Sequence, residues 1–217
     1  MINGFVLDND VIFKTARYCL LDQLLHVSTD EVVKPLILAA APFVLHNLIQ
    51  RSKAVTNKPE ILTSLGSFVD SVELIEPSEA EIEFAAEMEE EASAKSLSLD
   101  TGESILTAIT IMRDRKALVT GDKRAIYALR NIRRCQLQIV ERILCFEQII
   151  YAIVQVIGFE NARALICADP NVDTAISLCF SCAAGGEPIS DESWTTGLES
   201  YITHLRLAAP DLLRSDI

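Results

Sequence analysis

What the chain lacks narrows its class before any motif is read. Its 217 residues hold no uncharged apolar run of 18 or more, so a membrane-spanning helix is not expected. The start Met1-Ile-Asn-Gly has neither the basic residues nor the long apolar stretch of a signal peptide, and the expected location is the cytoplasm. Cys179-Phe-Ser-Cys182 has the spacing of half a zinc site, but no second pair accompanies it and His204 stands alone. Core packing on a helix is the better reading of that motif. With no signal peptide, the cysteines Cys19, Cys135, Cys145, Cys167, Cys179 and Cys182 are expected to be reduced thiols. Internal repeats and low-complexity linkers are absent. Positive charge is also scarce, with 19 Lys and Arg against 31 Asp and Glu and a net charge of -12. That balance argues against general binding to a nucleic-acid backbone, whose affinity comes from lysine and arginine displacing counterions.

What is present is a chain able to bury its own core, since 50% of its residues are apolar. The charges are segregated. Nine glutamates between Glu73 and Glu91 share a stretch with Asp70 and no basic residue, whereas eight basic residues between Arg113 and Arg134 surround Asp122. This pattern predicts one repelling and one receptive side.

Short apolar runs that end abruptly in an acid stand out, Phe5-Val-Leu-Asp8 and Ala117-Leu-Val-Thr-Gly-Asp122. Such runs suit strands buried between two helical layers, whose carboxyl ends form the ligand crevice of open α/β sheets. Helices are expected at 13–25, at 31–50 with Ser28 and Glu31 as a capping box, at 77–94, at 103–113 and at 123–130. Strands are expected at 4–7, 69–75, 118–119 and 137–140, with 43–45 an alternative short strand after Pro42. The alternation predicts a three-layer α/β/α domain with a mostly parallel sheet over 1–147. Apolar helices at 146–157, 172–182 and 193–213, with a loop at 184–188, form a C-terminal helical extension over 148–217. It packs on the same domain or provides a dimer surface.

The acids suggest chemistry. Phosphodiester hydrolysis needs a nucleophilic water at neutral pH and charge to stabilise the phosphorus oxygens, and Mg²⁺ or Mn²⁺ held by carboxylates supplies both. Asp8 and Asp122 can offer ligands from strand ends, Glu103 from a helix start, and Asp10 from two residues beyond Asp8. Each has a plain alternative. Asp8, Asp100 and Asp122 can cap helices, Asp10 can serve a turn, and Glu103 can answer the helix dipole.

At these residues the sequence resembles the PIN-domain nucleases. Val6-Leu7-Asp8-Asn9-Asp10-Val11-Ile12 is similar to the family's first motif, Asp100-Thr-Gly-Glu103-Ser-Ile-Leu-Thr-Ala108 to the second, and Leu118-Val-Thr120-Gly121-Asp122-Lys123 to the third. The resemblance covers about residues 1–147 and rests on order and spacing together. It implies a metal-dependent ribonuclease with Asp8, Glu103 and Asp122 as catalytic residues and Asp8, Asp10, Glu103 and Asp122 as ligands of Mg²⁺ or Mn²⁺. Asp100, Asn47 and Thr120 would support the ligands from behind, and Lys123 and Arg124 would touch the substrate backbone. Single-stranded RNA is the implied substrate, and a homodimer or a protein inhibitor the implied partner. The chain departs from the family at an early glutamate, where Phe43-Val-Leu-His46-Asn47-Leu48 offers Asn47 or His46 instead, and Glu31 comes too early. Two other readings stand beside it, a noncatalytic PIN-like protein that binds partners and a haloacid-dehalogenase-like phosphatase with Asp8 as nucleophile and Asp10 as acid/base.

Overall fold

Five short, mostly apolar runs become the strands of a parallel sheet in the computed structural model. Residues 4–29, 33–182 and 191–215 are described. The strands are β1 (Phe5–Leu7), β2 (Leu36–Leu38), β3 (Glu73–Ile75), β4 (Ala117–Thr120) and β5 (Ile143–Cys145), in the order β3-β2-β1-β4-β5. Every pairing is parallel, with Leu7 beside Val119 and Thr120 beside Cys145. The carboxyl ends of β1, β4 and β5 therefore open at one edge.

Helices cover both faces. In chain order they are α1 (Asn9–Arg17), α2 (Leu21–Ser28), α3 (Ala41–Arg51), α4 (Lys58–Ser71), α5 (Glu79–Ala94), α6 (Thr101–Met112), α7 (Lys123–Asn131), α8 (Phe146–Ile157), α9 (Phe159–Ala168), α10 (Thr174–Cys179) and α11 (Asp191–Ala208). Phe5, Leu7, Val119 and Leu144 face a core built with α1 to α4 and α8 to α11. Val6, Leu36 and Leu118 face α6, while Ile143 and Cys145 meet α5, α7 and the end of α11. Along β1, β4 and β5 successive side chains thus enter opposite cores and the strands read as unbroken apolar runs, whereas β3, at the edge of the sheet, leaves Glu73 and Leu74 exposed. The three-layer α/β/α arrangement expected from the sequence is the one the chain adopts. The C-terminal helices share the first core, with Phe180, Trp194 and Leu198 in the same cluster as Leu7 and Val119. Among the described residues, no helix is long and apolar enough to cross a membrane.

Local chemistry explains several boundaries. Ser78 caps α5 and Asp100 caps α6, each in a reciprocal capping box with the glutamate three residues on. Such caps stabilise a helix start by about 1 kcal/mol each. Cys19, at φ 57°, ends the first helical stretch, so the helix expected over 13–25 is two helices. The helix expected over 31–50 is instead β2 followed by α3, with Pro42 in the first turn of α3 and no strand at 43–45. Ser28 ends α2, where its hydroxyl donates to the Leu24 carbonyl, and Glu31 lies outside the described residues, as does the loop at 184–188. The strand expected over 137–140 lies at Ile143–Cys145, and Leu137 is 81% exposed. Val69 to Ser71 end α4 rather than start β3.

The cysteines also depart from expectation. Cys167 and Cys182 form a disulfide, because α9 and the end of α10 bring their Cα atoms within 4.9 Å. Cys179 is buried against Gly197 in the first core, as the packing reading of Cys179-Phe-Ser-Cys182 expects.

Candidate functional site

One open crevice of about 1020 Å³ lies at the carboxyl ends of β1 and β4, and Asp8, Asp10, Asp100, Glu103 and Asp122 all line it. Lys14, Lys123, Arg124, Phe13 and Leu48 line it as well. Three separate stretches of sequence meet there because β1 and β4 are neighbours and α6 starts at the same edge of the sheet.

Asp8 follows β1 directly, and its backbone N–H donates to the Val119 carbonyl at 3.0 Å. It occupies the cap position of α1, yet its carboxylate makes no capping hydrogen bond. The Thr120 hydroxyl donates to Asp8 Oδ2 at 3.3 Å and accepts the Asp122 backbone N–H at 3.2 Å, tying the two strand ends together. Burial, then the negative charge of Asp10, raises the Asp8 pKa to about 6, against smaller opposing hydrogen bonds from the Asn9 backbone and Thr120.

Glu103 is 6% exposed in the first turn of α6. Its Oε2 accepts the Asp100 N–H at 3.0 Å, and its own N–H donates to Asp100 Oδ1 at 2.9 Å. Capping thus holds Glu103 in place, and Asp100 is the cap. Burial is the main cause that lifts the Glu103 pKa to about 8, and the charges of Asp100, Asp122 and Asp8 add to it. The site carries more negative charge than its own cations compensate.

Asp122 both caps α7 and faces the crevice. Its Oδ1 accepts the Arg124 N–H at 2.7 Å and the Ala125 N–H at 3.4 Å, while the Arg124 guanidinium reaches Oδ2 at 2.6 Å. Burial works against its ionisation, but these Arg124 contacts hold its carboxyl below the usual range. Gly121 is the one residue at this turn that admits the neighbouring acid. A side chain there would collide with Asp10 Oδ2 and come within 3.2 Å of Lys14 Nζ. Asp10 pairs with Lys14 at 2.8 Å, one helical turn on.

The basic residues that crowd Asp122 in sequence disperse in space. Arg113 pairs with the buried Glu81, and Arg134 with Glu87. Of the basic group around Asp122, Lys123 and Arg124 line the crevice. Asn47 lines a neighbouring apolar hollow with Phe43, Val44 and Arg51, and Leu48 is the α3 residue that reaches the crevice. Sequence reasoning missed Lys14, readable as the fourth residue after Asp10. It also missed Glu147, the acid that ends the run Ile143-Leu-Cys-Phe, because the strand was expected six residues earlier.

The donor set suits a hard divalent cation, since carboxylates converge there and two of them are pushed toward the neutral form by burial first and by the neighbouring acids second. Among the described residues, no three His, Cys, Asp or Glu side chains already stand at the spacing of a formed ion site. Arg124 and Lys14 take up part of the available oxygen.

No known family's sequence profile matches the chain, and no curated protein does. Among solved structures, the chain is similar to one chain of the crystal structure of VapBC2 from Rickettsia felis bound to a DNA fragment from their promoter. The likeness has a TM-score of 0.44 and 18% identity, and it covers 62% of this chain and 95% of that one.

Proposed function

We propose that the protein is a PIN-like, metal-dependent nuclease that hydrolyses phosphodiester bonds of single-stranded RNA. The observation that carries this reading is the convergence of Asp8, Glu103 and Asp122, with Asp10, in one crevice at the ends of adjacent parallel strands. Asp8, Asp10, Glu103 and Asp122 would hold Mg²⁺ or Mn²⁺. Such an ion, when bound, activates water and neutralises charge growing on the phosphoryl oxygens. The protein's part is placement. Thr120 fixes Asp8 against Asp122, the Asp100 cap fixes Glu103, and Lys123 and Arg124 meet the phosphate backbone at the rim.

A second reading, a crevice kept for binding a partner, draws on the Arg124 and Lys14 pairs that already occupy Asp122 and Asp10. Cleavage of a labelled single-stranded RNA with Mn²⁺, compared among wild type, Asp8→Asn and Asp122→Asn, separates the two. The nuclease reading expects EDTA-sensitive cleavage by wild type and at least a hundredfold loss in each variant, with melting curves showing both folded. Equal rates in all three proteins would assign the cleavage to a contaminant, and no cleavage by wild type would favour the partner-binding reading.

A further inference from the structure

The C-terminal helices reach the crevice through two lysines, each held by an acid at a helix start. Lys123 Nζ lies 2.7 Å from Glu147 Oε1, and the side chains are 42% and 3% exposed. Glu147 stands in the first turn of α8, directly after β5, the strand beside β4. The same ammonium lies 4.9 Å from the centroid of the Tyr201 ring on α11. Lys14 is held in a similar way, 3.1 Å from Asp173 Oδ2 at the start of α10 and 5.2 Å from the Phe146 ring, but it also binds Asp10.

The difference between the lysines decides their roles. Lys14 sits between two carboxylates and is 17% exposed, so its hydrogen-bonding capacity is directed inward. Lys123 has one carboxylate partner at its back and an open front on the crevice. An ammonium offers three donors. A buried carboxylate that takes one of them, with an aromatic face beside it, restricts a flexible four-carbon stem to one direction. Without that hold, the stem would lose rotamer freedom each time it met a phosphate.

We propose that Glu147 and Tyr201 are positioning residues that aim Lys123 at a substrate phosphate beside the cleaved one, so that the C-terminal helices complete the substrate site. This inference rests on the nuclease reading and goes further by giving the extension a role in gripping the strand. Lys123 touches the phosphate; Glu147 and Tyr201 act through it.

The test measures binding of a fluorescent single-stranded oligoribonucleotide by anisotropy across a KCl series, with Ca²⁺ in place of Mg²⁺ or Mn²⁺ so that carboxylates are occupied by a cation of looser geometry and hydrolysis by water is held back. Lys123→Ala should weaken binding about fivefold, the worth of one net hydrogen bond near 1 kcal/mol. The slope of log affinity against log salt should flatten by about 0.7, as for the loss of one phosphate contact on a single strand. Glu147→Gln should give a similar loss, and Glu147→Gln combined with Lys123→Ala should lose little more than either alone. Tyr201→Leu, at a partly buried position packed against the first core where leucine keeps the apolar contact, provides an independent readout should Glu147→Gln fail to fold, and it should weaken binding in the same direction. A folded Glu147→Gln or Tyr201→Leu protein with wild-type affinity and salt slope would overturn the positioning role, as would a Lys123→Ala protein indistinguishable from wild type. A wild-type protein that binds no oligonucleotide would overturn the nuclease reading itself and this inference with it.

Discussion

Glu103→Gln should make the metal-free protein more stable at neutral and alkaline pH while removing its response to divalent ions. Glutamine keeps the shape and can still accept the Asp100 N–H, so the capping box survives while the charge is deleted. The folded-state pKa of Glu103 is raised from 4.5 to about 8 by burial and by the acids around it. A group shifted in this direction favours the folded state while protonated, so its contribution is complete below pH 4.5 and vanishes as the pH climbs through 8. Linkage over that window puts the loss between pH 4 and pH 7 at about 3 kcal/mol. Asp8 moves the same way as its pKa rises from 3.8 to about 6. For a chain of this size, 1 kcal/mol shifts Tm by about 2–4 °C, so wild type should melt ~6–12 °C lower at pH 7 than it would with a neutral, non-titrating residue in place of Glu103. The assay is a melting series with EDTA from pH 4 to 9. The Tm advantage of Glu103→Gln over wild type should grow through this range and level off above pH 8. Saturating Mn²⁺ at pH 7.5 should raise wild type by about 3 kcal/mol at a hundredfold excess over Kd and leave the variant nearly unmoved. A Tm difference that is the same at pH 5 and pH 9 would refute the argument, because it would mean that the Glu103 charge is not strained by its surroundings.

Two further outcomes follow from the crevice walls. Leu48→Glu should add a carboxylate to the crevice and tighten Mn²⁺ binding measured by calorimetry, whereas Asn47→Glu, on the neighbouring hollow, should leave it within error; tighter binding in Asn47→Glu than in Leu48→Glu would mean that α3 presents the other residue to the ion. Gly121→Ala should cost about 1–3 kcal/mol in urea unfolding by overpacking, because the added methyl collides with Asp10 and crowds Lys14; an unchanged midpoint would show that Asp10 has room to move aside.

The fold class and the main acids were legible in the sequence because both depend on short-range patterns. An apolar tripeptide ended by Asp8, the Asp100-x-x-Glu103 box and Thr120-Gly121-Asp122 each declare a local geometry in a few residues. Capping and strand ends need no knowledge of the rest of the chain. The elements that escaped are those whose identity depends on what they pack against. Leu36–Leu38 becomes a strand rather than part of a helix because it lies between β1 and β3, and Ile143–Cys145 becomes the edge strand because it pairs with β4. An apolar run three residues long fits either secondary structure until its neighbours are in place.

The charge balance of the site was a tertiary matter throughout. Sequence placed a basic cluster around Asp122, but ion pairs with Glu81 and Glu87 draw Arg113 and Arg134 away, while Lys14 comes into the crevice from α1. The disulfide between Cys167 and Cys182 depends on two helix ends meeting, which no spacing of cysteines encodes. Sequence by itself determined that strand ends and helix starts would carry acids. Only the folded chain decided that these acids would share one crevice, because strand order brings β1 beside β4, and there burial, joined by the charge of an acid nearly a hundred positions away in sequence, raises the pKa of Glu103.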